Sequence, residues 1–282
     1  MNPAVQVWCN GRLSDAGDVR ISPFDHGLLV GDGVFETLRV YHGSPFAWTR
    51  HDARLRASAS GLGLTVPDPA TLRAAADAVL AANGLVDARL RITITGGPAP
   101  LGSERGDDAP TVIVAATQFS AWAPTVDVVI APWTRNEQGA VAGLKTISYA
   151  ANVRALAYAT ERGAGEALFA NTSGNLCEAT GSNVFVIRDG VARTPPASAG
   201  CLLGVTRALI LELCAANGIP AEEEDLPMGA VAECDEAFLT STTREVHPVA
   251  RVDGRELPAA PGPVTQRIAE LFEDLVARDI DP

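Results

Sequence analysis

Lysine is almost missing from this chain. Of its 22 basic residues, 21 are arginines, and Lys145 is the single exception. Aromatics are scarce as well, at 5%, so any core must be built mostly from Ala, Val and Leu. No CxxC pair and no Cys/His spacing suggests a bound metal. The five cysteines (Cys9, Cys177, Cys201, Cys214, Cys234) are odd in number and scattered. That excludes a disulfide framework and reads as small core residues in a reducing compartment. The four histidines, His26, His42, His51 and His247, are too dispersed for a metal site, and none is taken as catalytic. No apolar run approaches the ~18 residues that a membrane span needs. The opening MNPAVQVWCNGRLSD has no apolar h-region. Positive charge is the minority sign: 22 basic against 34 acidic residues leave a net −12. This argues against nucleic acid or an anionic membrane as the main partner, and leaves room for small anions held by local arginines. Repeats and low-complexity tracts are absent too. The expectation is a soluble cytoplasmic protein, long enough to bury roughly three quarters of its unfolded surface.

What is present reads as alternating elements. VWCNGRL predicts two strand pieces about an Asn-Gly turn. Strands are predicted at 34–41, 89–97 and 110–117, with helices at 50–60 and 70–82. Thr49 and Asp52 are read as the cap and partner of the first helix, and Gly61 as its end. The uncharged FSAWAP (119–124) reads as a linker. It divides a small N-terminal α/β domain (1–118) from a larger C-terminal domain (125–282). In the second half, short apolar runs at 126–133, 166–170, 183–187 and 236–240 alternate with helices at about 150–162, 206–217 and 263–277. Long connections between them suggest an α+β arrangement with a mixed sheet or barrel.

Four elements could carry chemistry. An Ala-, Gly-, Pro- and Arg-rich composition depletes lysine everywhere, so Lys145 could be a chance survivor. It could also mark a position that needs a primary amine. Arginine supplies charge but forms no Schiff base and does not deprotonate in proteins. A lysine desolvated among neighbours such as Gly143, Leu144 and Ile147 can become a neutral nucleophile. Glu178, in the otherwise uncharged NLCEATGSN, is either a surface turn residue or a carboxylate placed opposite a protonated ring nitrogen, as pyridoxal phosphate requires. Gly204, Val205 and Thr206 lead into an apolar helix, which gives an ordinary cap or an anion-binding helix start. The hydroxyl cluster of LTSTTREV, with Ser241 and Thr242, is either a plain turn or a second wall of a phosphate cradle.

These residues sit in stretches that resemble one family. DHGLLVGDGVFETLRVYHG (25–43), RHDARLRAS (50–58), LKTISYAANVRALAYA (144–159), EATGSNVFVIRDGVARTPP (178–196), GCLLGVTRALI (200–210) and FLTSTTREVHPV (238–249) are similar to the class IV, or fold type IV, pyridoxal-phosphate enzymes. The resemblance spans nearly the whole chain. It implies a D-amino-acid aminotransferase-like α/β fold with the cofactor between two domains, and a homodimer whose partner helps close the site. It implies that Lys145 carries pyridoxal 5'-phosphate and then shuttles protons, and that Glu178 pairs with the pyridine nitrogen. It places Arg54, Val205, Thr206, Ser241 and Thr242 around the phosphate, and Tyr149 near the cofactor's phenolic oxygen.

Within the family, GDGVFETLRV and LKTISYAANVRALAYA look most like 4-amino-4-deoxychorismate lyases of folate synthesis, which form 4-aminobenzoate and pyruvate. The alternative is an aminotransferase for branched-chain or D-amino acids. A non-catalytic relative and a cofactor-free Schiff-base lyase complete the readings. Many relatives carry an Arg-Gly pair after the strand RLRITIT, where this chain has Gly96 and Gly97. Arg105, further along that loop, is then the candidate for an anionic substrate's carboxylate. Val30 stands where several aminotransferases carry an aromatic residue.

Overall fold

Asn10 and Gly11 both take positive φ, 45° and 90°, as a type I′ turn demands of its central pair. They join β1 (Gln6–Cys9) to β2 (Arg12–Asp15) in antiparallel register. The structure is a computed structural model and describes residues 5–107 and 109–282. Contacts gather the chain into two compact units. The first holds the residues up to Ser120 with Leu144–Tyr149 and Ile280–Pro282; the second holds Ala121–Gly143 and Ala150–Asp279. The hexapeptide that carries Lys145 thus belongs with the N-terminal segment, and neither unit is a continuous stretch.

In the first unit, α1 (His26–Val30) precedes β3 (Gly33–Tyr41), β4 (Ser44–Pro45), α2 (Trp48–Leu62), α3 (Pro69–Ala82), β5 (Ala88–Thr95) and β6 (Val112–Gln118). The six strands form one sheet in the order β2-β1-β6-β5-β3-β4, antiparallel throughout. Alternation in β5 buries Ala88, Leu90, Ile92 and Ile94 and turns Arg89 and Arg91 outward. Leu55 of α2 and Leu72 and Val79 of α3 complete a core with Val34, Leu38, Leu90 and Val114. Each fully buried aliphatic side chain there contributes about 1.5–3 kcal/mol.

The start of α2 departs from the sequence reading. Thr49 and Asp52 do not cap each other. The N-cap is Ala47, in the left-handed region at φ 52° with no side-chain bond. Asp52 instead pairs with Arg56 one turn on. The cap arrives from the other end of the chain: Asp281 accepts Thr49 N–H at 2.8 Å and Thr49 Oγ1–H at 2.6 Å. The helix also runs past Gly61 to Leu62, and Gly63, at φ 69°, closes it. Asp281→Ala should therefore cost about 1 kcal/mol, the usual value of a lost cap. Hydrogen exchange should speed up first in the opening turn of α2; unchanged exchange there would refute the assignment.

The second unit contains β7 (Val126–Ile130), α4 (Ala150–Thr160), β8 (Glu166–Ala170), β9 (Leu176–Ala179), β10 (Asn183–Arg188), β11 (Val191–Thr194), α5 (Val205–Ala216), β12 (Ala221–Glu223), α6 (Ala230–Glu233), β13 (Glu236–Ser241), β14 (Glu245–Val252), β15 (Arg255–Glu256) and α7 (Pro263–Arg278). Its sheet runs β12-β11-β10-β13-β14-β7-β8-β9, with β15 beside β14. The sheet is mixed, as expected: β7 is parallel to β8 and β14, and β11 is parallel to β12. Leu168, Val184, Val186, Leu239 and Val249 build its core. Cys177, Cys201, Cys214 and Cys234 are buried thiols, and all five cysteines are free. Among the described residues no helix is long and apolar enough to cross a membrane, and no His/Cys/Asp/Glu cluster could hold a metal.

Candidate active site

In the first unit, residues 145–147 lie along β3 like a short extra strand. Phe35 N–H donates to Lys145 O at 3.0 Å, Ile147 N–H donates to Gly33 O at 2.9 Å, and Val34 bridges Thr146. Lys145 N–H donates to Ser58 Oγ of α2 at 3.1 Å. Both faces of the Lys145 peptide are therefore fixed by rigid elements, and the side chain leaves from a defined point. Its Nζ lies 4.4 Å from the Phe35 ring centroid and 3.5 Å from the Tyr149 hydroxyl. Tyr149 meets Phe35 edge-on at 5.1 Å. The structure thus brings Lys145 and Tyr149 together on Phe35.

Arg54 lies one turn beyond His51 on α2, and both reach Glu36 of β3. Arg54 donates from Nε and Nη2 to the two Glu36 oxygens at 2.7 and 2.8 Å. His51 Nδ1 donates to Oε2 at 2.7 Å. Glu36 is wholly buried. Burial alone would raise its pKa, but the Arg54 charge and then His51 outweigh it and hold the carboxyl at about 2. His51 is shifted down, first by burial, so it serves as a neutral donor. Sequence reasoning passed over Glu36, although a carboxylate among the buried residues of VFETLRVY was a visible signal, since such groups are rarely left unpaired. Arg91 was missed too. Its guanidinium carbon lies 3.7 Å from the centroid of Phe35, the ring that also carries Lys145. Its pKa is lowered by burial of the head group, against which Tyr149 works.

In the second unit Glu178 lies on β9, which removes the surface-turn reading. Its Oε2 accepts Leu202 N–H at 3.0 Å, and its Oε1 lies 3.3 Å from Arg135 Nη2. Two residues past Leu202, Gly204 is the N-cap of α5, with no side chain bonded to the cap. A Cβ at Gly204 would collide with Asn183 Oδ1, so no side chain fits there unless Asn183 moves. Asn183 Nδ2 donates to Leu202 O at 2.7 Å, and Asn183 pairs with Thr240 across β10 and β13. The chain leaves β13 through Ser241 and Thr242. Asn183 thus links the start of α5 to the Ser241–Thr242 turn. Buried Ser182 Oγ and Thr240 Oγ1 have no hydrogen-bond partner. An uncapped twelve-residue helix start, a cradle a Cβ would fill and orphaned hydroxyls together fit a phosphate.

The remaining candidates lie elsewhere in the first unit. Val30 is the exposed last residue of α1. Gly96 is required by Asp32, whose Oδ2 would lie 2.5 Å from any Cβ. Arg105 gives its fork to that same Asp32, with bonds of 2.8 and 2.6 Å, and donates to Gly63 O. It anchors its loop to Asp32 and to Gly63.

Comparison with known proteins bears on all of this. The family model described as Amino-transferase class IV matches residues 33–252. A branched-chain-amino-acid aminotransferase of Pseudomonas aeruginosa is 32% identical over 96% of this chain and 92% of its own length. A D-alanine aminotransferase of Listeria innocua is 31% identical, covering 97% of both chains. The crystal structure of a branched-chain aminotransferase from Thermoproteus uzoniensis, with norvaline, has a TM-score of 0.91 at 30% identity, over 97% of this chain and 95% of that one. These relatives back the aminotransferase alternative better than the lyase reading. The chain belongs to the class IV aminotransferases, enzymes of fold type IV that work with pyridoxal phosphate.

Proposed function

We propose that this protein is an aminotransferase that takes the amino group of a small aliphatic amino acid, a branched-chain L-amino acid first and D-alanine second. The observation that carries this reading is the shared ring of Phe35, with the Lys145 amine and the Arg91 cation both against it. An amino acid needs one group to meet its amine and one to meet its carboxylate. Arg91 has no acidic partner among the described residues, so its guanidinium is available to a substrate carboxylate. The commitment of Arg105 to Asp32 counts against a dicarboxylate such as 4-amino-4-deoxychorismate.

Bound pyridoxal phosphate supplies an electron sink for the carbon that bears the substrate nitrogen. Lys145 would hold the cofactor, and its amine would serve as the base for the proton on that carbon. Glu178 would keep the ring nitrogen's proton in place. Val205, Thr206, Ser241, Thr242 and Arg54 would serve the phosphate, and Tyr149 would serve the phenolic oxygen. A homodimer belongs to the same reading: Phe24, Leu28 and Val30, exposed around α1, offer a second copy an apolar patch.

Purified protein should be yellow, and borohydride should bleach it. With 2-oxoglutarate it should form glutamate from L-leucine, L-valine or D-alanine. Pyruvate released from 4-amino-4-deoxychorismate, without glutamate formation, would restore the lyase in its place.

A further inference from the structure

Glu178 meets one backbone donor and one cation from different parts of the second unit, and the cation has no role yet. Arg135 lies between β7 and α4. Its amide donates to Ala170 O at 2.8 Å, and Asn171 bridges it. Its guanidinium carbon lies 4.6 Å from the Phe169 ring centroid, and Nη1 lies 3.4 Å from Asn152 Oδ1 of α4. Asn152 in turn donates to Thr180 O. Backbone, ring and amide hold this cation beside Glu178 Oε1 at 3.3 Å.

Holding it there has a cost. Arg135 Nε and Nη2 are buried and make no hydrogen bond, a state proteins rarely keep without compensation. The compensation is charge: the Glu178 carboxylate. The thiols on either side do not compete for it. Cys177 and Cys201 are both pushed up, by burial and then by the Glu178 charge, and stay neutral.

We propose that Arg135 is a positioning residue for the cofactor's ring nitrogen, acting through Glu178. A carboxylate that must hold a ring N–H has to remain ionised and keep one orientation. The Arg135 cation favours ionisation. Arg135 beside Oε1 and Leu202 N–H on Oε2 address both oxygens, which favours one orientation of the carboxylate. The inference rests on the reading of Glu178 given above.

The test is a double-mutant cycle read as the dissociation constant of pyridoxal phosphate from the full-length apoprotein, followed by absorbance. Arg135→Gln should weaken binding by about tenfold in the wild-type background. In a Glu178→Gln background the same change should alter it by less than about twofold, because its target has gone. An equal loss in both backgrounds would make Arg135 a packing residue and overturn the proposal, as would unchanged affinity in Arg135→Gln alone. If Glu178→Gln binds the cofactor like wild type, the reading of Glu178 itself falls, and this inference with it. Should the Gln variant not fold, Arg135→Lys keeps the cation and much of the stem. It should hold affinity within about threefold, and a tenfold loss would count against the charge.

Discussion

Lys145→Arg should be as inactive as Lys145→Ala, with turnover down by at least about 10³-fold in both, the scale at which a positioned base contributes to rate. Arginine preserves the charge and the contact with Phe35, so a purely electrostatic role would leave it near wild type. It offers no amine that can bond to the cofactor or lose its proton. Neither variant should misfold. The peptide at 145 stays held by Phe35 N–H and Ser58 Oγ whatever the side chain, and the lost contact over Phe35 contributes about 1 kcal/mol or less. Melting temperatures should therefore change little while turnover collapses. Borohydride should no longer fix cofactor to either protein. A small primary amine added to the buffer should restore part of the Lys145→Ala rate, because truncation leaves room for it beside Tyr149. The bulk of a guanidinium fills that room, so the Lys145→Arg variant should not respond. An arginine variant within about tenfold of wild type would end the amine argument.

The rarity of lysine makes this position conspicuous in the sequence alone. Some parts of the fold and of the site were legible because they are local. The Asn10-Gly11 turn and the start of α5 at Gly204 each declare themselves within a few residues. What stayed hidden is what depends on distant partners. The cap of α2 comes from Asp281, 232 positions away from Thr49. Glu178 sits on a four-residue strand, β9, too short for periodicity to reveal, so the turn reading stayed open. The Arg135–Glu178 pair spans a connection, a helix and a strand. Arg91 looked like one more outward residue of an alternating strand, and only the fold shows that its face of the sheet carries Phe35. Arg105 shows the reverse: the loop placed it plausibly, but Asp32, on another loop, had already taken its fork.

Glu36→Gln should remove about 3 kcal/mol from the first unit at neutral pH. Wild type and variant should converge as the pH falls toward 2. The native carboxyl lies at about 2, below its ordinary value of 4.5. Stability from such a group is complete above the unfolded value and is lost as pH falls through the folded one. Here the window runs from about pH 4.5 down to about pH 2, and the gap corresponds to about 3 kcal/mol. A second route gives a similar figure, since breaking a buried ion pair from one side costs about 3–5 kcal/mol. Glutamine is close to glutamate in size, so the loss would not come from a cavity. It comes from chemistry: Arg54 Nε, Arg54 Nη2 and His51 Nδ1 all donate into the carboxylate, and an amide NH2 would face at least one of them donor to donor. Native-state hydrogen exchange in β3 and α2 reads this unit directly. Arg54→Lys should lose part of the same energy, because an ammonium cannot grip both oxygens at once. If Glu36→Gln exchanged like wild type at pH 7, the buried carboxylate would not be what fixes Arg54 on α2.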